Sequence, residues 1–299
     1  MNSATTTIAY LILVIFVPIS NSYKWSEIPE SDADLFELAL NLEYLEAEFF
    51  LFGSLGYGLD KFAPNLSSGG PPPLGAQMAK LDFLTRDIIQ QFAWQEVGHL
   101  RAIKNITKGF PRPLLDLRVK SFAEVMNKAL GRTLNPPFNP YVSSLNFLIA
   151  SYLVPYVGLT GYVGANPKLK DPQSRKLLAG LLAVESGQDA VIRALLFQRA
   201  TERVYPYGIT VAEFTDRISK LRNKLGGEGR KDEGIIGPAC QGAEGKVTGN
   251  VLAGDDYSVG YSRTPEEILR IIYGGGDEHV PGGFYPNGAY GNIAKSFLK

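Results

Sequence analysis

Apolar residues recur every three or four positions along most of the chain. Leu35, Leu38, Leu42, Leu45 and Phe49 form such a series and predict a first helix over residues 31–55. Similar series predict long helices over residues 74–108, 141–163 and 171–203, and shorter helices over 121–130, 210–226 and 264–273. Four long amphipathic helices joined by loops predict an all-α four-helix bundle.

Turn and capping residues mark where these helices begin and end. Asp171-Pro172 pairs an N-cap residue with proline at the first helical position, and Thr210 with Glu213 makes a capping box. Pro155 should kink the third long helix, because proline removes a backbone donor and its ring clashes with the preceding turn. Residues 226–262 are rich in glycine and lack helical periodicity, so they predict a loop with a short hairpin.

The first 22 residues resemble an export signal. Their apolar stretch, Ile8–Val17, is too short to span a bilayer, and small residues follow at Ser20 and Ser22. We therefore expect a signal peptide at 1–22, a helical bundle at 23–225, a C-terminal extension packing on it at 226–299, and secretion to the extracellular space (apoplast or cell wall). The alternatives are an uncleaved anchor or a buried helix. We expect no later membrane span, because Pro155 and glycines interrupt residues 141–163.

Composition narrows the function classes. Of 299 residues, 45% are hydrophobic and 20% are charged, a composition that argues against a disordered protective protein. Lys+Arg and Asp+Glu both number 30, so no basic excess predicts binding to nucleic acid. Asn65 and Asn105 lie in N-glycosylation sequons, which also occur by chance. Cys240 is the only cysteine, so no intrachain disulfide can form. Its thiol could be buried, free or paired with another chain, and of these we expect it to be buried.

The sharpest chemical signal is a Glu-x-x-His motif on the second long helix. Glu96 and His99 are three residues apart and therefore project from one helix face, among apolar neighbours. Carboxylate-bridged metal sites in bundles are built from such pairs and from single glutamates on other helices.

Two other helices offer matching acids. On the fourth long helix Glu185 has the same spacing to Gln188, and Asp189 could substitute one residue further on. On the first helix Glu46 falls on the apolar stripe and Glu43 flanks it. A buried, unpaired carboxylate is costly, so inward acids here favour a binding site.

Longer phrases carry a family resemblance. LNLEYLEAEFF, WQEVGH and AVESGQD resemble the metal-bearing helices of the ferritin-like superfamily. GKVTGNVLAGD, RTPEEILRIIYG and VPGGFYPNGAYGNIAKSFL resemble the ferritin-like desiccation-related proteins of plants. The resemblance implies a ferritin-like four-helix bundle with extra short helices and an irregular glycine-rich C-terminal extension. It also implies a secreted, stress-associated protein whose molecular activity is poorly defined.

The resemblance also implies a ligand set. It places metal ligands at Glu43, Glu96, His99 and Glu185. The third-helix carboxylate of the family falls at or next to Pro155, and its second histidine falls at Gln188, so both are missing. We therefore expect one transition-metal ion (Fe, Mn or Zn) or none, and the alternative is a remnant polar cluster joined by hydrogen bonds.

Three functions follow from these observations. The favoured one is a non-catalytic protective or metal-binding protein, because two-metal chemistry lacks its ligands. The second is a ferritin-like oxidoreductase acting on iron or reactive oxygen, and the third is a structural protein whose aromatic tail binds cell-wall polysaccharide. Against this third function, we expect the aromatic tail to pack across the bundle rather than to bind polysaccharide.

Other polar groups are assigned structural roles. Asp277-Glu278-His279, which could hold a surface metal, is interpreted as a solvated turn beside three glycines. Tyr152, Tyr156 and Tyr162 are predicted to be core aromatics whose hydroxyls are hydrogen-bonded.

Overall fold

A computed structural model describes residues 28–227 and 229–298 of the chain. The predicted signal peptide lies outside these residues. In chain order the helices are α1 (Glu30–Leu55), α2 (Leu59–Phe62), α3 (Pro64–Ser67), α4 (Phe83–Lys104), α5 (Val119–Leu130), α6 (Ser144–Leu153), α7 (Pro155–Ala165), α8 (Pro172–Phe197), α9 (Val211–Gly226), α10 (Pro265–Ile272) and α11 (Asn292–Phe297). Strands β1 (Arg203–Val204) and β2 (Ile209–Thr210) form one short antiparallel hairpin.

The bundle consists of α1, α4, α8 and the consecutive pair α6–α7. Helix α1 packs against α4 and α7, and α8 packs against α4, α6 and α7. Helices α5, α9 and α10 add a second layer, with α9 contacting α5, α6 and α10. The all-α bundle predicted from apolar periodicity is confirmed, together with its extra short helices.

Proline divides the third long helix into two. Helix α6 ends at Leu153, and Pro155 occupies the first position of α7, so the predicted kink is a full break. The stretch Ser144–Lys168 is nonetheless long and apolar enough to cross a membrane by length and composition, contrary to our expectation. Its most apolar window is 78% buried inside the protein, as for a core helix.

Close packing fixes α6 against α1. The rings of Phe49 and Phe147 stack with centroids 4.4 Å apart. A Cβ atom at Gly53 would lie only 2.2 Å from the Phe147 ring, so glycine is required for this approach. Side-chain caps at Asp82 and Asp171 accept hydrogen bonds from Thr85 N and Ser174 N and start α4 and α8.

Two predicted segments differ from the structure. The second long helix begins at Phe83, not near residue 74, because Leu74 pairs with Asp116 in a β-bridge and Asp82 caps the helix. In the described part of 226–262, Ile236 and Gly249 form an isolated bridge in place of the expected hairpin.

The glycine-rich segment is attached to the bundle by a buried arginine. Arg193 on α8 is fully buried and donates to the carbonyl oxygens of Val251, Glu233, Gly234 and Asn250. Five donors on one planar group suit such a set of acceptors.

Cys240 lies on the outer side of this segment. It is exposed, and its thiol is free. The prediction of a buried thiol is therefore wrong, because Cys240 lies in the first of two consecutive short turns, Ala239–Gln241 and Ala243–Gly245, in which no residue is buried.

The C-terminal segment lies along α1. The Asn41 side chain donates to Tyr290 O at 2.9 Å and accepts from Tyr290 N at 2.7 Å. The Tyr285 hydroxyl, fully buried, donates to Asn41 O. An amide thus satisfies the backbone of the tail much as a strand partner would.

We expect Arg193→Met to lower the free energy of unfolding by roughly 3 kcal/mol or more, because several buried carbonyls would lose their donor. Urea unfolding followed by circular dichroism measures this change. The control is Arg199→Met, which removes an ion pair with Glu202 whose side chains are 35% and 46% exposed, and should cost less than about 1 kcal/mol. Equal effects of the two variants would contradict this role of Arg193.

Candidate metal centre

Three bundle helices bring four side chains that could bind a metal into one buried pocket. Glu43 comes from α1, Glu96 and His99 come from α4, and Glu185 comes from α8. Their ligand atoms all lie within 4.8 Å of one another, and all four residues are buried. We refer to these four residues as the Glu–His cluster.

One imidazole nitrogen faces all three carboxylates. His99 Nδ1 lies 3.1 Å from Glu43 Oε2, 3.3 Å from Glu96 Oε2 and 3.4 Å from Glu185 Oε1. A ring nitrogen carries at most one proton, so it can donate fully to only one of these acceptors. The other two carboxylates need a different positive partner.

A fourth carboxylate stands beside the cluster. Glu46, one helical turn beyond Glu43, is 1% exposed, and its Oε2 is buried without a hydrogen-bond partner. One oxygen each of Glu96 and Glu185 is also buried without a partner. Buried polar atoms are nearly always satisfied, so these oxygens are available to a proton, a water molecule or a bound cation.

Two neighbouring side chains hold the acids in place. The Tyr162 hydroxyl on α7 donates to Glu43 Oε1. Gln188 Nε2 on α8 donates to Glu96 Oε1 at 2.6 Å and to Gln95 Oε1 at 3.1 Å. Gln188 therefore acts first as a donor that orients Glu96, and its own Oε1 is buried without a partner.

Burial and mutual repulsion raise the pKa of three of the four carboxylates, and His99 lowers the pKa of the fourth. Burial raises the pKa of Glu46 and of Glu96 well above the ordinary value, and the charge of Glu185 raises both further. Burial also raises the pKa of Glu185 to about 7, against a hydrogen bond from His99. Burial alone would raise the pKa of Glu43, but the charge and hydrogen bond of His99 outweigh it and lower that pKa.

The same carboxylate charges shift the pKa of the His99 imidazole. Burial opposes the charged form of His99, but the carboxylates of Glu43 and Glu96 outweigh burial and raise its pKa. The pocket therefore stabilises positive charge at the position of this nitrogen.

The residues present fit a metal ion. Three carboxylates and one imidazole form a mixed oxygen and nitrogen donor set of the kind that transition metals take in bundle cores. The unsatisfied oxygens of Glu96 and Glu185 can bind a cation while the hydrogen bonds from Tyr162 and Gln188 are kept. The Glu–His cluster could therefore hold a metal ion.

A small cavity reaches this pocket. It is lined by Glu43, Glu46 and Glu185, by Gly158 and Tyr162 of α7, and by residues of α10. Its volume is ≈ 30 Å³, enough for one or two water-sized molecules. A Cβ atom on Gly158 would lie 3.4 Å from Glu46 Oε1, so the absence of a side chain there keeps this wall open.

Comparison with known proteins agrees with the fold. The family model described as "Ferritin-like domain" matches residues 31–198, which include the whole Glu–His cluster. The chain belongs to the ferritin-like family.

Two curated proteins are closely similar to this ferritin-like chain. The desiccation-related protein PCC13-62 of Craterostigma plantagineum is 59% identical over 90% of the chain and 86% of its own length. The ferritin-like catalase Nec2 of Nesocodon mauritianus is 58% identical over 91% of the chain and 87% of its own length. No solved structure gives a significant match.

The structure places the other candidate residues of this ferritin-like protein away from the cluster. Asp189 turns toward Arg193, with 4.0 Å between Oδ2 and Nε, and does not replace a histidine. Of the 277–279 motif, Glu278 pairs with Arg270 at 2.7 Å, and His279 Nδ1 contacts Phe297 O at 2.6 Å. The ligand atoms of Asp277, Glu278 and His279 also lie within 4.8 Å of one another, in a turn where His279 N donates to Asp277 Oδ1.

Tyr152, Tyr156 and Tyr162 differ in the hydrogen bonding of their hydroxyl groups. Tyr152 is a satisfied core residue, bonded to Ser219 and to Glu233 O. The Tyr156 hydroxyl is buried without a partner, so the prediction for it is wrong. Tyr162 is satisfied, but by Glu43, which makes it part of the site. No sequence pattern predicts this role, because a tyrosine in an apolar helix has the same spacing whichever partner its hydroxyl finds.

The metal-free ferritin-like protein should become less stable as the pH rises. The pKa of Glu185 is about 7 in the folded state, against an ordinary value of 4.5. Between these two pH values the folded state binds a proton on Glu185 that the unfolded state does not bind. The stability that this proton contributes is complete below pH 4.5 and is lost as the pH rises through about 7. We expect a lower melting temperature at about pH 8 than at about pH 5, measured after chelation, and a weaker dependence in Glu185→Gln.

The control for this experiment is Glu213→Gln on α9. Glu213 forms an ion pair with Arg217 in which both side chains are about half exposed, so the wild-type dependence should persist. A Glu185→Gln profile identical to wild type would rule out Glu185 as the titrating group.

Proposed function

We propose that this ferritin-like protein removes peroxide at a metal bound by Glu43, Glu96, His99 and Glu185, and that it acts in a stress response. The observation that carries the proposal is a set of buried, unsatisfied carboxylates reached by a cavity of ≈ 30 Å³. That volume suits hydrogen peroxide and is too small for an organic substrate, since ligand pockets usually exceed about 300 Å³.

The reaction limits the choice of metal. Two peroxide molecules give two water molecules and one dioxygen, so one peroxide loses two electrons and two protons and the other gains them as its O–O bond breaks. A bound manganese or iron ion would supply the redox centre that stores these electrons between the two halves. Zinc has no accessible redox change, so we propose manganese or iron.

The protein's own residues orient the site, hold protons and exclude larger molecules. Glu46 lines the cavity, and one of its carboxylate oxygens is unsatisfied, so it can hold a proton beside the entering peroxide. Tyr162 fixes Glu43, and Gln188 fixes Glu96, so both carboxylates keep their orientation.

The names of the similar proteins support both peroxide removal and a role in a stress response. Nec2, 58% identical, is named a ferritin-like catalase, and PCC13-62, 59% identical, is named a desiccation-related protein. Peroxide removal is a useful activity for a protein that acts during drying, because it limits radical damage.

A second candidate function is metal retention without turnover. It is favoured by Gln188, which donates to Glu96 in the position where the family has a histidine, and by α7, which contains no Asp or Glu. Such a protein would hold the metal and release no dioxygen from peroxide.

Secretion belongs to the same proposal. Asn65 and Asn105 are both exposed, so both sequons are accessible to glycosylation if the chain enters the secretory pathway. Binding of the aromatic tail to cell-wall polysaccharide is also a proposal, which a polysaccharide pull-down with the full chain would test.

The two histidines provide a matched test. His99→Gln should lose most of the bound metal and lower dioxygen release from peroxide by at least about 100-fold, because it removes the imidazole ligand. His279→Gln should match wild type in metal content and in dioxygen release. Metal content is measured by mass spectrometry, and dioxygen by an oxygen electrode.

Each result selects one function. Metal without dioxygen release from wild type would favour metal retention. Wild-type metal content in His99→Gln would exclude the proposed site.

The cavity wall provides a second test. Gly158→Val should lower kcat/KM for peroxide by about tenfold or more with little change in metal content, because its methyl groups would fill the space beside Glu46. Gly180→Val, at an exposed α8 position with open space around it, is the control. Unchanged kinetics in folded Gly158→Val would show that peroxide enters elsewhere.

A further inference from the structure

A groove much larger than the cavity beside the Glu–His cluster lies between α7, α8 and the glycine-rich segment. Its volume is ≈ 450 Å³, within the range of about 300–1,000 Å³ that is typical of ligand pockets. The described residues that line this groove include none of the Glu–His cluster. The groove is therefore separate from the candidate metal centre, and binding to it does not depend on a bound metal.

Most of the groove wall is apolar. Leu159 and Val163 come from α7, Leu182 and Ala183 come from α8, and Leu252 comes from the glycine-rich segment. Leu252 is 68% exposed, so apolar surface in this wall remains in contact with water. A ligand with an apolar face would cover that surface, and its removal from water would favour binding.

Two buried polar side chains line the same groove. Tyr156 on α7 is 2% exposed, and its hydroxyl is buried without a hydrogen-bond partner. Asp189 on α8 is 4% exposed. Burial raises the pKa of Tyr156 well above its ordinary value, and the charge of Asp189 is among the charges that raise it further. The Tyr156 hydroxyl therefore keeps its proton, and it is a donor without an acceptor that lies close to a carboxylate.

The protein itself opposes the charge of Asp189. Burial raises the pKa of Asp189 to about 6, and the positive charges of Arg193 and Arg222 act in the opposite direction. At neutral pH the carboxylate is therefore mostly ionised and accepts hydrogen bonds, while the two guanidinium groups disfavour a further cation beside it. A hydroxyl group fits these charges better than an ammonium group, because it is neutral and can both donate to Asp189 and accept from Tyr156.

Hydrogen bonds hold the wall that the glycine-rich segment contributes. Arg193 on α8 donates to the carbonyl oxygens of Asn250 and Val251. The Tyr261 hydroxyl donates to Glu233 Oε1 at 3.1 Å, so the tyrosine ring that lines the groove is also fixed. This ring offers an aromatic face on which a flat ring could pack. A wall that is already ordered lowers the entropy cost of binding.

We propose that this groove binds a small neutral phenol, with its ring against the apolar wall and its hydroxyl group at Asp189 and Tyr156. A ring with one hydroxyl end matches a wall that is apolar except at these two side chains. A sugar fits less well, because several of its hydroxyl groups would face leucine and valine side chains that cannot bond to them.

The experiment is a titration of the full chain with 4-methylphenol, followed by ligand-detected nuclear magnetic resonance. We expect a dissociation constant of about 1 mM or lower. The methyl ether of this probe, 4-methylanisole, keeps the ring but cannot donate to Asp189, so it should bind at least about tenfold more weakly. Glucose and benzylamine represent a sugar and a cationic amine. Tighter binding of either than of 4-methylphenol would overturn the proposed ligand class.

Two substitutions test the polar end of the groove. Tyr156→Phe removes a hydroxyl that has no partner, so the variant should fold, and it should weaken binding by about threefold to tenfold. Asp189→Asn should weaken binding by about tenfold or more, because it removes a charged acceptor. The controls are Tyr205→Phe, at a residue that is 88% exposed, and Asp87→Asn, at an exposed position of α4. Neither residue lines the groove, so both variants should bind like wild type.

A third substitution fills the groove. Ala183→Phe, at an exposed α8 position in the groove wall, should weaken binding by at least about tenfold, because the added ring would occupy the space of the probe. Ala194→Phe, at an exposed position of the same helix outside the wall, should bind like wild type.

The outcomes test the groove and its polar contacts separately, and circular dichroism verifies that each variant is folded. A wild-type dissociation constant above about 10 mM, or equal binding by wild type and folded Ala183→Phe, would overturn the site. Equal binding by wild type, folded Tyr156→Phe and folded Asp189→Asn would overturn the assigned contacts to the hydroxyl group.

Discussion

The burial of four carboxylates around a single imidazole is the constraint on which the rest of this structure depends. Each buried carboxylate costs free energy unless it is protonated, hydrogen-bonded or bound to a cation. His99 Nδ1 can satisfy one of its three carboxylate neighbours, and Tyr162 and Gln188 satisfy two further oxygens. The surrounding helices therefore hold Glu43, Glu96 and Glu185 close to His99, with ligand atoms within 4.8 Å of one another, and leave only a small cavity beside them.

Helix α1 carries the largest share of this task, because its buried polar residues point in several directions. Glu43 and Glu46 face the pocket, and Asn41 binds the C-terminal segment through Tyr290. Glu48 forms a fully buried ion pair with Arg112, which lies in the connection after α4. One helix thus links the Glu–His cluster, the tail and a loop, and this explains why so few of its residues reach the surface.

The sequence predicted the parts of this protein that repeat with helical period, and it missed the parts set by single contacts. Apolar spacing predicted the four long helices, and Asp171-Pro172 predicted the start of α8. It did not predict that the second helix starts at Phe83, because the pairing of Leu74 with Asp116 is a tertiary contact. The exposure of Cys240 was missed for a similar reason, since glycine-rich turns have no periodic face.

The site shows the same division between pattern and contact. Glu-x-x-His spacing and the family resemblance predicted Glu43, Glu96, His99 and Glu185, and the structure brings these four together. The roles of Tyr162 and Gln188 depend on where α7 and α8 place a hydroxyl and an amide, which no spacing encodes. Pro155 explains part of this arrangement, because it starts α7 as a separate helix whose next turns present Gly158 and Tyr162 to the acids of α1. Helix α7 therefore supplies space and a donor where it has no carboxylate, while α1 supplies two of the four pocket carboxylates, Glu43 and Glu46.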